Sequence, residues 1–141
     1  TEFLRSDELP ARAAIGYLSN DEPRTNVFHL PVVGVGDGGV YSTVADIAQL
    51  WKALFDARVV SNDSVAMMTA PRSQAPVQQA RYGLGFWLHE TPDTVMLVGG
   101  DAGASFRSVH SPSRAITHTV ISNTSEGAWP ITRHLDDVVG L

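Results

Sequence analysis

A glycine-rich stretch at residues 94–108 constrains the fold of this chain more than any other feature. It opens with a short apolar run of β-forming residues at 95–98, which predicts a buried strand. Gly99, Gly100 and Gly103 then remove three side chains from the continuation of that strand. Glycine inside a strand marks a bulge or a place where something approaches the backbone closely. The stretch is therefore predicted to be either a tight corner or the floor of a binding groove.

Two helices are predicted upstream of this stretch. Thr43 and Asp46 have the spacing of a capping box, with Ser42 as an alternative N-cap. The following apolar positions share one helical face and predict a helix that ends near residue 56: Ile47, Leu50, Trp51 and Leu54. A second, shorter helix is predicted to begin at Ser61 and to end before Pro71.

Strand-like patterns dominate the rest of the chain. They predict strands at 82–88, 95–98, 104–109 and 115–122, joined by short turns, and a closing amphipathic helix at 129–139. Short turns between consecutive strands imply an antiparallel sheet. The predicted fold class is therefore α+β, with the C-terminal helix packed on the sheet and a short helical and loop region before it.

These predicted elements divide the chain into three regions. Residues 1–72 are predicted to hold loops and the two helices, and residues 73–81 to be a polar connector. Residues 82–141 are predicted to hold the antiparallel sheet and the C-terminal helix.

Composition excludes several classes of function. The net charge is −5 and basic residues form no cluster, so a nucleic-acid surface is not expected. No apolar run approaches the length of a membrane span. Absence of cysteine removes disulfides and thiolate chemistry and leaves the redox compartment undetermined. Five histidines without metal-ligand spacing predict no metal site, and the glycines at 34–39 lack the spacing of a nucleotide loop, so no cofactor is expected.

Three polar residues near the glycines are candidates for chemistry. Asp101 is either a general base or a residue that favours a turn. Ser105 lies in half of a nucleophile elbow, but the second glycine is absent and a strand follows, so it is not expected to be the nucleophile. Arg107 is either a carboxylate-binding residue or an ordinary surface arginine of a strand.

Four segments together carry a resemblance to a known family. They are Ala14-Ile-Gly-Tyr-Leu, Gly38-Gly-Val-Tyr-Ser-Thr-Val-Ala-Asp-Ile-Ala, Tyr82-Gly-Leu-Gly-Phe-Trp and Val98-Gly-Gly-Asp-Ala-Gly-Ala-Ser-Phe. In this order and at about this spacing they resemble the serine β-lactamase and penicillin-recognising family, in particular its class C-like and esterase branch.

The resemblance implies an acyl-enzyme hydrolase acting on a small-molecule substrate with an ester, peptide or β-lactam bond. The family's nucleophile lies in a Ser-x-x-Lys motif, but Lys52 is the only lysine here and no serine precedes it at that spacing. The chain therefore resembles the C-terminal portion of such an enzyme and is expected to be inactive alone. The alternative is a module that binds a ligand or partner without catalysis.

Another motif of the family, Lys-Thr-Gly or His-x-Gly, lies on the sheet strand that lines the substrate groove, and it has a counterpart here. Aligned to Asp101-Ala102-Gly103, it makes the backbone N–H of Ala104 the oxyanion donor. The implied substrate-binding residues are Gly100, Asp101, Ala102, Gly103, Ser105 and Arg107. In this register Asp101 replaces the family's cationic or imidazole residue, so recognition of a β-lactam carboxylate is expected only if Arg107 substitutes for that residue, and an ester or peptide substrate is at least as well supported. A register over residues 99–101 remains open.

The resemblance also bears on partners. The family's first strands and N-terminal helix are missing from this chain, so a sheet edge and apolar surface are expected to be exposed. The isolated chain is therefore expected to form a homodimer or to pair with the missing N-terminal half.

Overall fold

The structure, a computed structural model, describes residues 1–19, 21, 23–75 and 80–141. The helices and strands of these residues are α1 (Val44–Phe55), α2 (Asn62–Thr69), β1 (Ser73–Ala75), β2 (Ala80–Tyr82), β3 (Trp87–Leu88), β4 (Val95–Asp101), β5 (Ala104–Ser111), β6 (Ile116–Ser122) and α3 (Ala128–Val139). The strands form one sheet in chain order, and every neighbouring pair is antiparallel. The predicted α+β layout is confirmed.

Both upstream helices begin at the predicted residues. The hydroxyl oxygen of Thr43 accepts a hydrogen bond from the Asp46 amide at 3.1 Å, so Thr43 and not Ser42 is the N-cap of α1. Ser61 caps α2 in the same way, by accepting from the Ser64 amide at 3.2 Å. Each bond satisfies an amide that has no partner within its helix.

The main apolar core lies between α1, α2 and one face of the sheet. Its buried members are Trp51, Leu54, Val65, Phe86, Leu88 and Val95. Trp51 is 1% exposed, and its indole N–H donates to the hydroxyl oxygen of Ser108 at 2.7 Å. A buried indole loses its water, so this bond satisfies the ring while its carbons fill the core.

Helix α3 covers the opposite face of the sheet, mainly over β5 and β6. Ala128 and Thr132 are its buried residues, and Gly140 ends the helix in the left-handed conformation that favours glycine. The two helical layers thus enclose β5 and β6 from both sides. None of the helices in the described residues has the length and apolarity that a bilayer crossing needs.

The predicted strand at 82–88 is wrong in one respect, because a turn divides it into β2 and β3. The Gly83 amide donates to the Phe86 carbonyl at 2.8 Å, and Gly85 has a φ of 85°. A continuous strand would place Leu84 on one face with Phe86 and Leu88, but Leu84 lies in the turn and is 45% exposed. Glycine at the left-handed position makes the turn more favourable than a continuous strand.

The stretch predicted to be a connector, 73–81, contains sheet. Residues 73–75 form β1, which pairs with β2 in the register Ser73↔Tyr82, and residues 80 and 81 belong to β2. Residues 76–79 lie outside the described residues. An edge strand has one neighbour only and tolerates polar side chains, so composition did not reveal it. The division into three regions stays a prediction.

Candidate functional site around the β4–β5 hairpin

The turn between β4 and β5 is a tight corner packed against a distant segment. The ladder ends with Asp101 opposite Ala104, and Gly103 in the turn has a φ of 73°. A Cβ on Gly103 would lie 2.8 Å from Asn26 Cβ and 2.9 Å from the Tyr17 amide nitrogen. Glycine is therefore required here both for its backbone conformation and for the close approach.

Asn26 fixes this corner. The side-chain amide of this buried residue donates to the Ala102 carbonyl at 2.9 Å, and its backbone amide donates to the Gly16 carbonyl at 3.0 Å. Nothing in the local sequence marks Asn26 as a partner of the hairpin, because 76 residues separate it from Ala102. It is the main residue of this site that the sequence analysis missed.

Two serines tie the corner to the start of α3. The Gly103 amide donates to the Ser125 hydroxyl oxygen at 2.9 Å. The Ser105 hydroxyl donates to the Thr124 carbonyl at 2.7 Å and accepts from the Ala128 amide at 3.0 Å. Ser105 is 1% exposed, so its hydroxyl has no free surface for a ligand and serves to hold α3 against β5. The substrate contact predicted for Ser105 has no support in this geometry.

Asp101 occupies the exposed end of β4. One of its carboxylate oxygens accepts from the Ala102 amide at 2.7 Å, which is the turn-favouring role considered for it. The same bond occupies the amide immediately after Asp101. A role as a general base stays a prediction.

In the described part of the chain, the edge of β4 that faces β3 has no neighbouring strand after Met96, the second residue of β4, and we call this part the open edge. Strand β3 pairs with Val95 and Met96 only, so residues 97–101 have β5 on one side and no strand on the other among the described residues. Gly99 and Gly100 lie exposed in this open part. The backbone is thus accessible from the edge here, whereas Gly103 is buried in the corner. Gly103 therefore belongs to the predicted tight corner, and the interpretation of Gly99 and Gly100 as the floor of a groove stays a prediction.

A cleft of about 500 Å³ lies beside the open edge, between α3 and the strands. Its walls include Trp87, Met96, Val98, Arg107, Trp129 and Arg133. Such a volume is within the range of small-molecule sites. A Cβ on Gly100 would lie 3.4 Å from the Trp129 ring, so this glycine lets the indole pack closely on β4.

Arg107 contributes a guanidinium to the cleft, but that group already has a partner. It forms an ion pair with Asp136 of α3, and its second amino group lies 3.2 Å from the Met96 sulfur. The side chains of Arg107 and Asp136 are 13% and 16% exposed. A ligand carboxylate would compete with Asp136, so binding of a substrate carboxylate by Arg107 stays a prediction.

His118 completes a polar cluster beneath α3. Its Nε2 lies 3.1 Å from the second Asp136 oxygen without hydrogen-bond geometry, and neither ring nitrogen has a hydrogen-bond partner among the described residues. Burial lowers the pKa of His118 and Arg107 lowers it further, while Asp136 acts in the opposite direction. Burial, with a smaller contribution from Arg107, also lowers the pKa of His89 at the cleft wall.

No group of three or more histidine or acidic side chains in the described part of the chain is arranged to hold a metal ion. The site thus offers backbone amides at an open strand edge, an aromatic and apolar cleft beside it, and an arginine already paired with aspartate. Of the predicted substrate-binding residues, Gly100 and Asp101 lie exposed at the open edge of β4, and Arg107 lines the cleft. Ala102, Gly103, Ala104 and Ser105 lie in the corner.

Substitution of Gly103 tests the corner. Gly103→Ala is expected to lower the free energy of unfolding by about 2–4 kcal/mol, because it adds left-handed strain and a clash with backbone atoms. Gly99→Ala is the matched control, since its Cβ would lie 3.9 Å from the nearest atom, the Phe106 ring. That control is expected to change the free energy by less than about 1 kcal/mol. Urea unfolding measures both, and equal values for the two variants would contradict the role given to Gly103.

Acidification tests the buried histidines. The pKa values of His89, His110 and His118 lie below the ordinary value of 6.5, chiefly because burial disfavours the charged ring. The unfolded chain therefore takes up protons first as the pH falls. The free energy of unfolding is expected to be fully retained above about pH 7.5 and to decrease as the pH falls through about 6.5 toward 5.5.

Urea unfolding midpoints across this pH range measure the effect. His118→Gln is expected to flatten the decrease, and adding His110→Gln is expected to flatten it further. A profile that rises on acidification, or that both substitutions leave unchanged, would contradict the assignment.

Comparison with known proteins agrees with this geometry. A solved structure, described as the penicillin binding protein from Bacillus halodurans, superposes with a TM-score of 0.84 at 27% sequence identity. The match covers 96% of this chain and 43% of that chain, so this chain spans less than half of that protein's length. No curated protein matches the chain.

The family model described as Beta-lactamase matches residues 1–139, nearly the whole chain. The structural match is to a penicillin-binding protein, and the antiparallel sheet with helices on both faces agrees with it. The resemblance predicted from the four sequence segments is confirmed at the level of the family. On this ground the chain belongs to the Beta-lactamase family.

Proposed function

We propose that this chain forms the sheet side of the active site of a serine hydrolase, which acts through an acyl-enzyme on ester, amide or β-lactam bonds. The observation that carries the proposal is the open edge of β4 at residues 97–101, where two consecutive glycines leave the backbone exposed. In this proposal the chain is the C-terminal portion of a longer enzyme of the class C-like and esterase branch.

The open edge suits the stabilisation of a developing oxyanion. Alternate amides of a strand point to the same edge, and an edge strand without a neighbour leaves those amides free for a ligand. Amides held rigidly by the ladder with β5 need no reorganisation when charge develops on a substrate oxygen. Absence of side chains at Gly99 and Gly100 lets a substrate lie close to the strand.

The accessibility of the glycines favours one register of the motif. In the first register the donor is the Ala104 amide, but the corner around Ala102 and Gly103 is packed against Asn26 and bonded to Ser125. In the second register the motif lies over residues 99–101, at the open edge. By the same offset, the donor in the second register is the Ala102 amide, which already donates to the Asp101 carboxylate at 2.7 Å, so this carboxylate has to turn away when a substrate binds. On that condition we propose the second register, with Ala104 retained only as the first residue of the supporting strand.

The nucleophile is proposed to come from outside these 141 residues. Lys52, the only lysine, lies on the exposed side of α1 and pairs with Asp56 at 3.0 Å. No Ser-x-x-Lys sequence is present, and the Ser105 hydroxyl is bonded on both sides and buried. The chain alone therefore lacks an activated serine in the site and is proposed to be inactive.

Incubation with a fluorescent penicillin and with a chromogenic ester tests this inactivity. Intact-mass spectrometry is expected to find no covalent adduct, and the purified chain is expected to hydrolyse neither compound above the buffer rate. Ser105→Ala is the control, and it is expected to behave identically. Turnover by the chain that Ser105→Ala removes would overturn the proposal that the nucleophile lies elsewhere.

A longer protein that contains this chain and a Ser-x-x-Lys segment tests the role of the edge. Gly99→Val keeps the backbone amide but adds a side chain beside the edge, so it is expected to displace the substrate and to lower the acylation rate about 10²-fold while the protein stays folded. Gly36→Val is the matched control, because a Cβ there meets no atom within 4 Å and a Cβ on Gly99 would make only one ordinary contact, with the Phe106 ring at 3.9 Å. Equal acylation rates for the two variants, measured with the fluorescent penicillin, would count against the open edge as the substrate site.

A second function is favoured by one residue. In the first register, over Asp101-Ala102-Gly103, the resemblance places Asp101 where the family carries a cationic or imidazole group, which suits a module that keeps the fold and binds a ligand or partner without catalysis. The sequence of a longer protein distinguishes the two: a Ser-x-x-Lys segment upstream supports the hydrolase, and its absence supports the binding module.

A further inference from the structure

Helix α3 leaves part of its face of the sheet uncovered. It packs mainly over β5 and β6, whereas Met96 and Val98 of β4 line the neighbouring cleft. Val95 and Leu97 alternate with them and pack in the main core, so the cleft lies on the side of the sheet opposite to α1. Val98 is 40% exposed in this gap. An apolar surface of the sheet is therefore open to a ligand next to α3.

Two indole rings form aromatic walls of the cleft. Trp87 and Trp129 line it, and each is half-buried. The Trp87 ring meets the Tyr82 ring edge-on, with 4.9 Å between the ring centroids, and the Trp129 ring packs on Gly100. These contacts hold both rings in position before a ligand binds. Such walls suit a planar aromatic group, because ring contacts add to the gain from burying apolar area.

Arg133 is a cation of the cleft without an ionic partner. It lies four residues after Trp129 and three before Asp136, on the side of α3 that faces the sheet. Asp136 is already paired with Arg107. Asp137 has the spacing that permits an ion pair with Arg133, but the described residues supply no such partner. An anionic ligand would provide the counter-ion that this part of the chain does not.

His89 adds a neutral hydrogen-bond donor to the same cleft. Its Nδ1 accepts from the Thr91 amide at 3.1 Å, so Nε2 carries the proton of the neutral ring. Among the described residues, no acceptor bonds this Nε2–H. Burial, with a smaller contribution from Arg107, lowers the pKa of His89 and keeps the ring neutral. An uncharged donor near a cation suits an oxygen acceptor of a ligand.

We propose that this cleft binds a planar aromatic carboxylate, whose ring contacts Trp87 and Trp129 and whose carboxylate pairs with Arg133. The surrounding charges favour a single negative charge on the ligand. Arg107 already has its aspartate, and Glu90 at the cleft wall opposes the second charge that a phosphate monoester would bring. The site lies behind the strand whose open edge is proposed to bind the substrate, and it does not depend on the proposed hydrolase activity.

Naphthoate is a suitable probe, and naphthylmethanol is its uncharged analogue. Two fused rings with one carboxylate fit a cleft of about 500 Å³. The chain has three tryptophans, and Trp51 serves as the internal reference because its indole is buried in the core. In two-dimensional proton–nitrogen NMR spectra, naphthoate is expected to shift the indole N–H signals of Trp87 and Trp129 saturably. The signal of Trp51 is expected to stay unchanged.

Two pairs of variants test charge and shape. Arg133→Gln is expected to weaken naphthoate binding about fivefold, the effect of losing one exposed ion pair, and to leave naphthylmethanol binding unchanged. Arg24→Gln is its matched control, because Arg24 is also exposed and has no ion pair within the described residues. Val98→Trp is expected to fill the cleft and to remove the binding of both compounds. Val59→Trp, at an exposed valine between α1 and α2, is expected to leave binding unchanged.

The outcomes decide between this site and a non-specific apolar surface. Shifts of the two indole signals, with weaker naphthoate binding in Arg133→Gln but not in Arg24→Gln, support the proposal. No shift of either signal, equal affinity for the charged and the uncharged compound, or equal binding by the two arginine variants overturns it.

Gly99→Val separates this cleft from the proposed substrate edge. Gly99 alternates with Val98 and faces the α1 side of the sheet, where its Cβ would lie 3.9 Å from the Phe106 ring. The variant is therefore expected to bind naphthoate as the wild-type chain does. Weaker binding would place the ligand at the open edge and overturn the proposal. None of these readouts measures hydrolysis, so failure here is distinct from failure of the proposed function.

Discussion

The packing of the β4–β5 corner on Asn26 is the contact on which the rest of this structure depends. At this point the hairpin, the segment around Gly16 and the loop before α3 meet within hydrogen-bonding distance. The Tyr17 amide also donates to the Asn123 carbonyl at 2.8 Å, so the N-terminal segment is bonded to both sides of the corner. Gly16 and Gly103 permit this approach because they have no Cβ. A Cβ added at either position would lie within 3.0 Å of neighbouring atoms. The corner thus fixes where β4 ends and how its open edge is oriented.

Behind that edge, electrostatics and packing hold α3 in place. The ion pair between Arg107 and Asp136 is mostly removed from water, so its attraction is offset by the cost of desolvating both groups. Its contribution is therefore mainly geometric: it fixes the position of α3 relative to β5. The Ser105 hydroxyl bonds the first turn of the same helix. Ser105 and Arg107, two of the six residues that the resemblance implied as substrate contacts, thus both hold α3 against β5.

Local signals in the sequence predicted the parts of the fold whose causes are local. Thr43 and Ser61 cap the helices that follow them, and the apolar stripe that includes Trp51 predicted the buried side of α1. The β5 and β6 strands also followed from pattern. By contrast, the division of β2 from β3 depends on the backbone conformation of Gly85, which a strand-like pattern conceals.

The sequence did not predict which residues distant along the chain come into contact. Strand β1 forms because its backbone pairs with β2, and its polar residues give no strand pattern. Asn26 and Asp136 become part of the site through contacts with residues 76 and 29 positions away. The glycine pattern marked both the corner and the open edge but did not distinguish the buried Gly103 from the exposed Gly99 and Gly100, because that difference arises from what packs against each of them.

The order of the strands has a consequence for how the chain folds. Each strand pairs with its neighbour in sequence, so the sheet from β1 to β6 consists of local contacts that close short loops. The described residues before α1 form isolated bridges and no sheet of their own. During synthesis they leave the ribosome well before the hairpin that Asn26 contacts. We therefore expect the N-terminal segment to dock only after the hairpin that it contacts has formed.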